Sequence, residues 1–372
     1  MNLSFRCALI ALTVGLSVAI STPADVKRPS LGWRKEAVEL PAYENPASKQ
    51  LPRIVVSGNR FVYTGGKPVL FRGLNIADPN KVERDGHWSR DYFVRVKEMG
   101  ANLVRIPVHP VSWRERSPAA ELALLDQAVD WCTELGMYVI IDWHSIGDLN
   151  SGVFQEPMYE TSVAETFAFW RVISRHYAGT NTVAFYELFN EPTTFGTRLT
   201  RASWKRWKLL NERLIAAIRE SDKQTIPLVA GFNWAFDLTP LQISPIAAPN
   251  IGYVAHPYPH KSPKPWERAW DANFGFAASR YPVIATEIGF TLGNQGIEDN
   301  REYGEAIVHF LESRGISWTA WIFDPEWTPK MITSWQTYEL TESGEFFKKA
   351  MQANMAQDPT LQASRKWKKI IR

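Results

Sequence analysis

Short apolar runs recur along the chain, and the stretches between them carry helical spacing. The runs are residues 69–75, 102–108, 138–144, 183–190, 225–231, 251–258, 282–289 and 317–323. They are rich in Val and Ile and do not alternate with polar residues, as strands covered on both faces should read. Between them, 119–136 places Leu122, Leu125, Val129 and Cys132 on one face, with Gly136 to end the helix. In 161–177, Thr161 or Ser162 stands where a cap is needed and Glu165 lies close by. Residues 200–221 and 300–314 follow the same rule. Each gap is expected to hold a helix, so the pattern predicts an eight-unit (β/α)8 TIM barrel. A doubly wound open sheet also alternates, but it usually carries a glycine-rich turn after its first strand, and none is found here. Before the first unit, residues 54–70 read as a β-hairpin: IVVSG, FVY, a turn at Thr64-Gly65-Gly66, then PVL. In that position a hairpin would cover the bottom of the barrel. No repeat of fixed length and no second domain appears.

The two ends differ from this pattern. Arg6 precedes an apolar run from Cys7 to Ile20, with small residues at Ser21 and Ala24. Residues 1–24 therefore read as a signal peptide, and the protein as secreted or periplasmic. The run is shorter than a membrane span, so no membrane contact is expected beyond export. Without the leader, Cys132 is the only thiol, which leaves no internal disulfide and no cysteine framework for a metal. Four prolines make 25–53 an extended lead-in, 54–356 the catalytic barrel, and the basic residues Arg365, Lys366, Lys368, Lys369 and Arg372 give 357–372 a solvated tail. The formal charge of +3 is too small to argue for nucleic acid. Sixteen Trp residues invite a ligand with flat apolar faces, such as a sugar, although most Trp side chains in any fold are core.

Function in a barrel sits where the strands end at their C-terminal side. Six of the expected strands break their apolar pattern there: Arg105, Asp142-Trp143-His144, Asn190-Glu191, His256-Pro257-Tyr258, Glu287 and Trp321. Polar groups inside apolar strands are costly unless they have partners or a task. Glu191 closes VAFYELFNEP, where Pro192 stops the strand. Strands four and seven face each other across the mouth, so Glu191 and Glu287 form an opposed carboxyl pair, the minimum equipment for glycoside cleavage. One must hold a proton and the other must be ionised, so one pKa should be raised. Arg105 is the cation to keep Glu287 ionised, and Tyr258 the hydroxyl to donate to it. Asn190 is placed for a sugar 2-hydroxyl, and Trp321 to floor the cleaved sugar's subsite. Glu187 and Asp142 lie deeper and read as barrel filling, Glu187 against a buried cation. Among the Trp residues near strand-end loops, Trp234 and Trp327 are the favoured sugar platforms. His109, His144 and His256 are the residues a metal-dependent barrel hydrolase would use, but the His-x-His of that class is absent.

These positions, taken together and in order, resemble glycoside hydrolase family 5, the cellulase family of the clan with catalytic Glu on strands four and seven. The resemblance rests on Asn-Glu-Pro after strand four, Arg105 in NLVRIPV, His144, His256-x-Tyr258, Glu287 in IATEIG, and Trp321. It implies a retaining mechanism with Glu191 as acid/base, Glu287 as nucleophile, a covalent glycosyl-enzyme, and neither metal nor cofactor. It also implies supporting roles for Arg105, His144, Asn190, His256, Tyr258 and Trp321. The expected substrate is a polysaccharide or oligosaccharide, β-1,4-glucan cut from within, by a monomer. β-Mannan, mixed-linkage or β-1,3-glucan and small β-glucosides are the alternatives within the class. A metal-dependent hydrolase and a non-catalytic sugar-binding protein are the alternatives outside it.

Overall fold

The structure, a computed structural model, describes residues 38–44, 50–195, 201–291 and 301–355. The expected leader and basic tail, and most of the lead-in, lie outside these residues. Eight parallel strands close into a barrel in chain order. We label them β1 (Arg72–Asn75), β2 (Leu103–Val108), β3 (Tyr138–Trp143), β4 (Val183–Glu187), β5 (Ile226–Ala230), β6 (Gly252–Val254), β7 (Val283–Ile288) and β8 (Ser317–Ala320).

The helices between strands start and stop where the sequence dictates. Pro118 opens the helix Pro118–Leu135, and Gly136 closes it in the left-handed conformation at φ 68°. Leu122, Leu125, Val129 and Cys132 all turn inward from it. Ser162 Oγ accepts from the main-chain N–H of Glu165 and caps Val163–His176. The gap between β5 and β6 is the exception: it holds only the single turn Phe232–Ala235 and the 3-10 turn Thr239–Gln242. Pro240, Pro245 and Pro249 crowd that stretch, and each proline removes a helix donor.

The hairpin forms, with its turn one step earlier than the sequence suggests. Ile54–Ser57 pairs antiparallel with Arg60–Tyr63 about Gly58 and Asn59, while Thr64-Gly65-Gly66 makes a second turn closed by a lone bridge from Val62 to Pro68. Gly58 supplies the positive φ that the first turn needs. Phe61 of the hairpin packs edge-on against Phe71 and Phe185 at the barrel's N-terminal mouth. It comes so close to Gly252 that a Cβ there would sit 3.0 Å from its ring. The barrel interior thus has two storeys: an apolar plug of Phe61, Phe71, Tyr138, Ile140, Phe185 and Leu228 below, and buried Asn75, Arg105, Asp142, Glu187, His256, Thr286 and Thr319 above. Strand pairing matches Arg105 with Asn75 and Ile140, and Asp142 with Glu187, which stacks this polar layer directly over the plug.

Candidate active site

Arg105 is the hub of the polar layer. Its Nε and Nη2 donate to the two oxygens of Glu187, at 2.8 Å each. Nη1 donates to Asn75 Oδ1 at 2.9 Å and to Glu287 Oε1 at 2.8 Å, and Nη2 also reaches Asn190 Oδ1 at 2.7 Å. A guanidinium has five N–H groups, and these five contacts employ them all. Asp142 adds a third carboxyl at 3.0 Å. The expectation of a cation under Glu187 is met by the same side chain that holds Glu287.

Glu287 is fixed from both sides, since its Oε2 accepts from the hydroxyl of Tyr258 at 2.7 Å. Its neighbour Thr286 also faces the cluster, bonding His256 and Glu187. Successive strand residues normally point to opposite faces. Here the register of β7 against β8 slips between Ala285 and Ile288, and that irregularity turns both side chains to the same side.

Glu191 is reached by a different route from the one expected. β4 ends at Glu187, three residues before the predicted strand end, and Glu191–Pro192 joins a small separate sheet with Ile146–Asp148 and Val153–Phe154 above the barrel rim. Main-chain bonds from Asn190 to Trp143 and from Glu191 to Ser145, both 3.1 Å, hold the segment over β3. One oxygen of Glu191, one of Glu287 and one ring nitrogen of His256 lie within 4.8 Å of one another.

His256 joins the two storeys. Its Nε2 is 2.9 Å from Thr286 Oγ1, and its Nδ1 is 3.0 Å from Glu191 Oε1. Thr286 spends its own proton on Glu187 Oε1, at 3.0 Å, so it must accept from His256 Nε2. The Nδ1 side then shares one proton with Glu191. Burial opposes the imidazolium, but Glu287, Glu187 and Glu191 outweigh it and raise His256 to about 9. Both ring nitrogens of His256 are thus engaged by protein partners. Of the other two histidines considered for a metal, His144 turns Nδ1 to Asp142 at 2.6 Å and His109 turns Nδ1 to Asp78 at 2.8 Å. Burial pushes Asp142 well above the usual carboxylate range and His144 well below its ordinary value.

The cleft above these groups has a volume of about 560 Å³. His144, Asn190, Glu191, Tyr258, Glu287, Trp321 and Trp234 line it, while Arg105 and His256 lie beneath its floor. Trp321 stacks on His144, with rings 6° from parallel. Trp327 lies parallel to Trp321 at 6.0 Å but opens into an adjoining cavity with His109 and Lys81. Trp113, Trp143, Trp266 and Trp335 are buried in the core.

The matching family model is Cellulase (glycosyl hydrolase family 5), over residues 62–326. This chain belongs to glycosyl hydrolase family 5. Its fold overlays a β-glucanase from Saccharophagus degradans with a TM-score of 0.81 and 44% identity, covering 85% of this chain and 98% of that one. The same neighbour has been solved in complex with cellotetraose. Endoglucanase E-5 of Thermobifida fusca is 25% identical over 321 residues, 81% of this chain and 64% of that protein. The major extracellular endoglucanase of Xanthomonas campestris is 24% identical over 311 residues, 70% of this chain and 63% of that protein. The family 5 chain thus spans just under two thirds of these curated relatives.

One electrostatic feature of this family 5 site departs from the sequence-based expectation. Burial alone would raise Glu191, the group expected to hold a proton. Instead Lys261, His256 and His144 outweigh burial and hold it down, to about 2. The sequence reading missed Lys261, 3.6 Å from Glu191 Oε1, because a lysine in a loop gives no sign that it will be buried. It also missed Tyr159, Gln155 and His260, all on the cleft wall. Gln155 lies on the loop after β3 and accepts from Trp234 Nε1 at 2.9 Å, which fixes the indole. No periodicity marks such loop residues.

Proposed function

We propose that this chain is a retaining glycoside hydrolase that cuts β-1,4-glucan from within, with Glu287 as nucleophile and Glu191 as acid/base. The observation that carries this reading is the approach of the two carboxyls to within 4.8 Å over the mouth of the barrel. Retaining enzymes keep their carboxyls about 5 Å apart, because the nucleophile itself must reach the anomeric carbon with no water between. The bonds from Arg105 and Tyr258 leave Glu287 charged and aimed.

In the first step a Glu287 oxygen bonds to the anomeric carbon as the glycosidic C–O bond breaks. Glu191 gives its proton to the departing oxygen. That proton comes from the pair Glu191 forms with His256 Nδ1, which holds it in the empty site. Sugar filling the cleft expels water and weakens the charged form of the pair, so the proton returns to Glu191. In the second step Glu191 takes a proton from water, the oxygen bonds to the anomeric carbon, and Glu287 leaves as carboxylate. Asn190 has its Oδ1 occupied by Arg105, so its NH2 is free to donate to the sugar 2-hydroxyl. Trp321 and Trp234 line the cleft and offer flat apolar faces to a sugar.

The β-glucan substrate is supported by the Saccharophagus β-glucanase solved with cellotetraose and by the endoglucanase names of the relatives. Export is supported by the leader pattern and by the extracellular relative. The test is reducing-end release from cellulose derivatives, mixed-linkage glucan, β-1,3-glucan and β-mannan, with Glu287→Gln as control. Substrates with β-1,4-glucosyl bonds should be cut and shortened internally, and the variant should be inert. Release from mannan or β-1,3-glucan alone would overturn the substrate assignment.

A further inference from the structure

Lys261 ends the run His256-Pro257-Tyr258-Pro259-His260-Lys261, in the loop that follows β6. Its side chain is only 7% exposed, unusual for a lysine in a loop. The ammonium donates to the main-chain oxygen of Trp234. It stands 3.6 Å from Glu191 Oε1 and 5.7 Å from the centre of the Tyr258 ring. The Trp234 carbonyl is delivered by a strained turn in which Asn233, Trp234 and Ala235 all have positive φ, from 53° to 58°.

A surface ion pair would be the dull account, and such pairs contribute little. The burial argues otherwise. A buried ammonium needs acceptors or a counter-charge. The carbonyl takes one of its three donors, and Glu191, beyond hydrogen-bond length, supplies the charge. The same side chain lines the cleft with Glu191 and Glu287. Glu191 is also faced by His256 just after β6, His144 just after β3 and Glu287 from β7, with Arg105 beyond Glu287 and His260, Tyr258 and Tyr159 around the rim. Lys261 is the cation among these whose anchor is a main-chain carbonyl.

We propose that Lys261 is a positioning residue for Glu191: pinned by the Trp234 carbonyl, its ammonium keeps the Glu191 carboxylate aimed into the cleft and ionised between turnovers. This rests on the reading of Glu191 as acid/base. An ionised Glu191 is the form that takes a proton from water in the second step. Lys261 therefore favours hydrolysis of the glycosyl-enzyme and extends activity toward acid pH.

The test uses the whole enzyme and two substitutions, Lys261→Met and Lys261→Gln, with Lys261→Arg as the conservative variant. The Glu191 carboxyl is titrated by carbon NMR and assigned by its loss in Glu191→Gln. The proposal expects the Glu191 titration to rise by about one pH unit or more in the neutral variants and to stay near wild type in Lys261→Arg. On an aryl cellobioside whose second step limits the rate, the acid limb of kcat should move the same way, with KM within about twofold. An unmoved Glu191 titration in a folded neutral variant overturns the proposal, as does an unmoved acid limb. Full activity in Glu191→Gln would sink the acid/base reading instead, and the titration arm separates the two failures.

Discussion

Arg105 and Glu187 are joined by two parallel hydrogen bonds of 2.8 Å, and neither side chain is exposed. Glu187 is held down to about 2, because Arg105 and His256 outweigh the burial that would raise it. Glu187→Gln would turn an amide toward donors from Arg105 and Thr286. Removing one partner of a buried pair costs about 3–5 kcal/mol. Urea unfolding should show a loss of that order, and a loss well under 1 kcal/mol would mean that Glu187 is not the counter-charge on which the site is built.

Glu191→Ala separates the two steps. A glycoside with a very good leaving group needs no proton, so its first step should survive. The glycosyl-enzyme should then accumulate, visible as a rapid burst of leaving group followed by slow turnover, while natural glucan is cut at least about a hundredfold more slowly. Equal losses on both substrates would argue against the acid role.

His256 makes stability depend on pH in a defined direction. Its folded value, near 9, lies above the ordinary 6.5. The stabilisation is therefore complete below pH 6.5 and is lost as pH rises through 9. Wild type should lose stability over that window, while His256→Gln, which has nothing to titrate there, should start lower and lose less. Unfolding free energies at pH 6.5 and 9 for both proteins check this. Parallel losses would mean that His256 is neutral in the folded state.

Glu121 shifts in the same direction for a different reason. Burial and the nearby Asp78 charge raise it to about 8, and Asn80 and Arg116 only partly offset them. The folded protein keeps a proton that the unfolded chain releases above 4.5, so stability falls as pH rises from there through 8. Glu121→Gln removes this loss. It should gain on the order of 1 kcal/mol or more at pH 9 relative to pH 5, read from urea unfolding at both. No pH-dependent gain would contradict the assignment.

The barrel was legible because its strands are short, mostly apolar runs, several of which the polar storey interrupts at one depth. Arg105, His256 and Glu287 could be found from that interruption alone. Glu191 was found by a sound rule applied to the wrong element, since Pro192 ends a short rim strand and not β4. The helix expected after β5 does not form, because Pro240, Pro245 and Pro249 interrupt the stretch. Lys261, Gln155 and Tyr159 were not legible, because tertiary contacts, not local pattern, bring them to the cleft. The low Glu191 was not legible for the same reason, because it depends on Lys261, His256 and His144 approaching its carboxyl through tertiary contacts.

The most direct test of the central claim is proton NMR of the anomeric signals during hydrolysis of cellotetraose, recorded before mutarotation equalises the anomers. Two carboxyls this close, acting as nucleophile and acid/base, predict that the new reducing end appears first as the β-anomer. First appearance of the α-anomer would contradict the account.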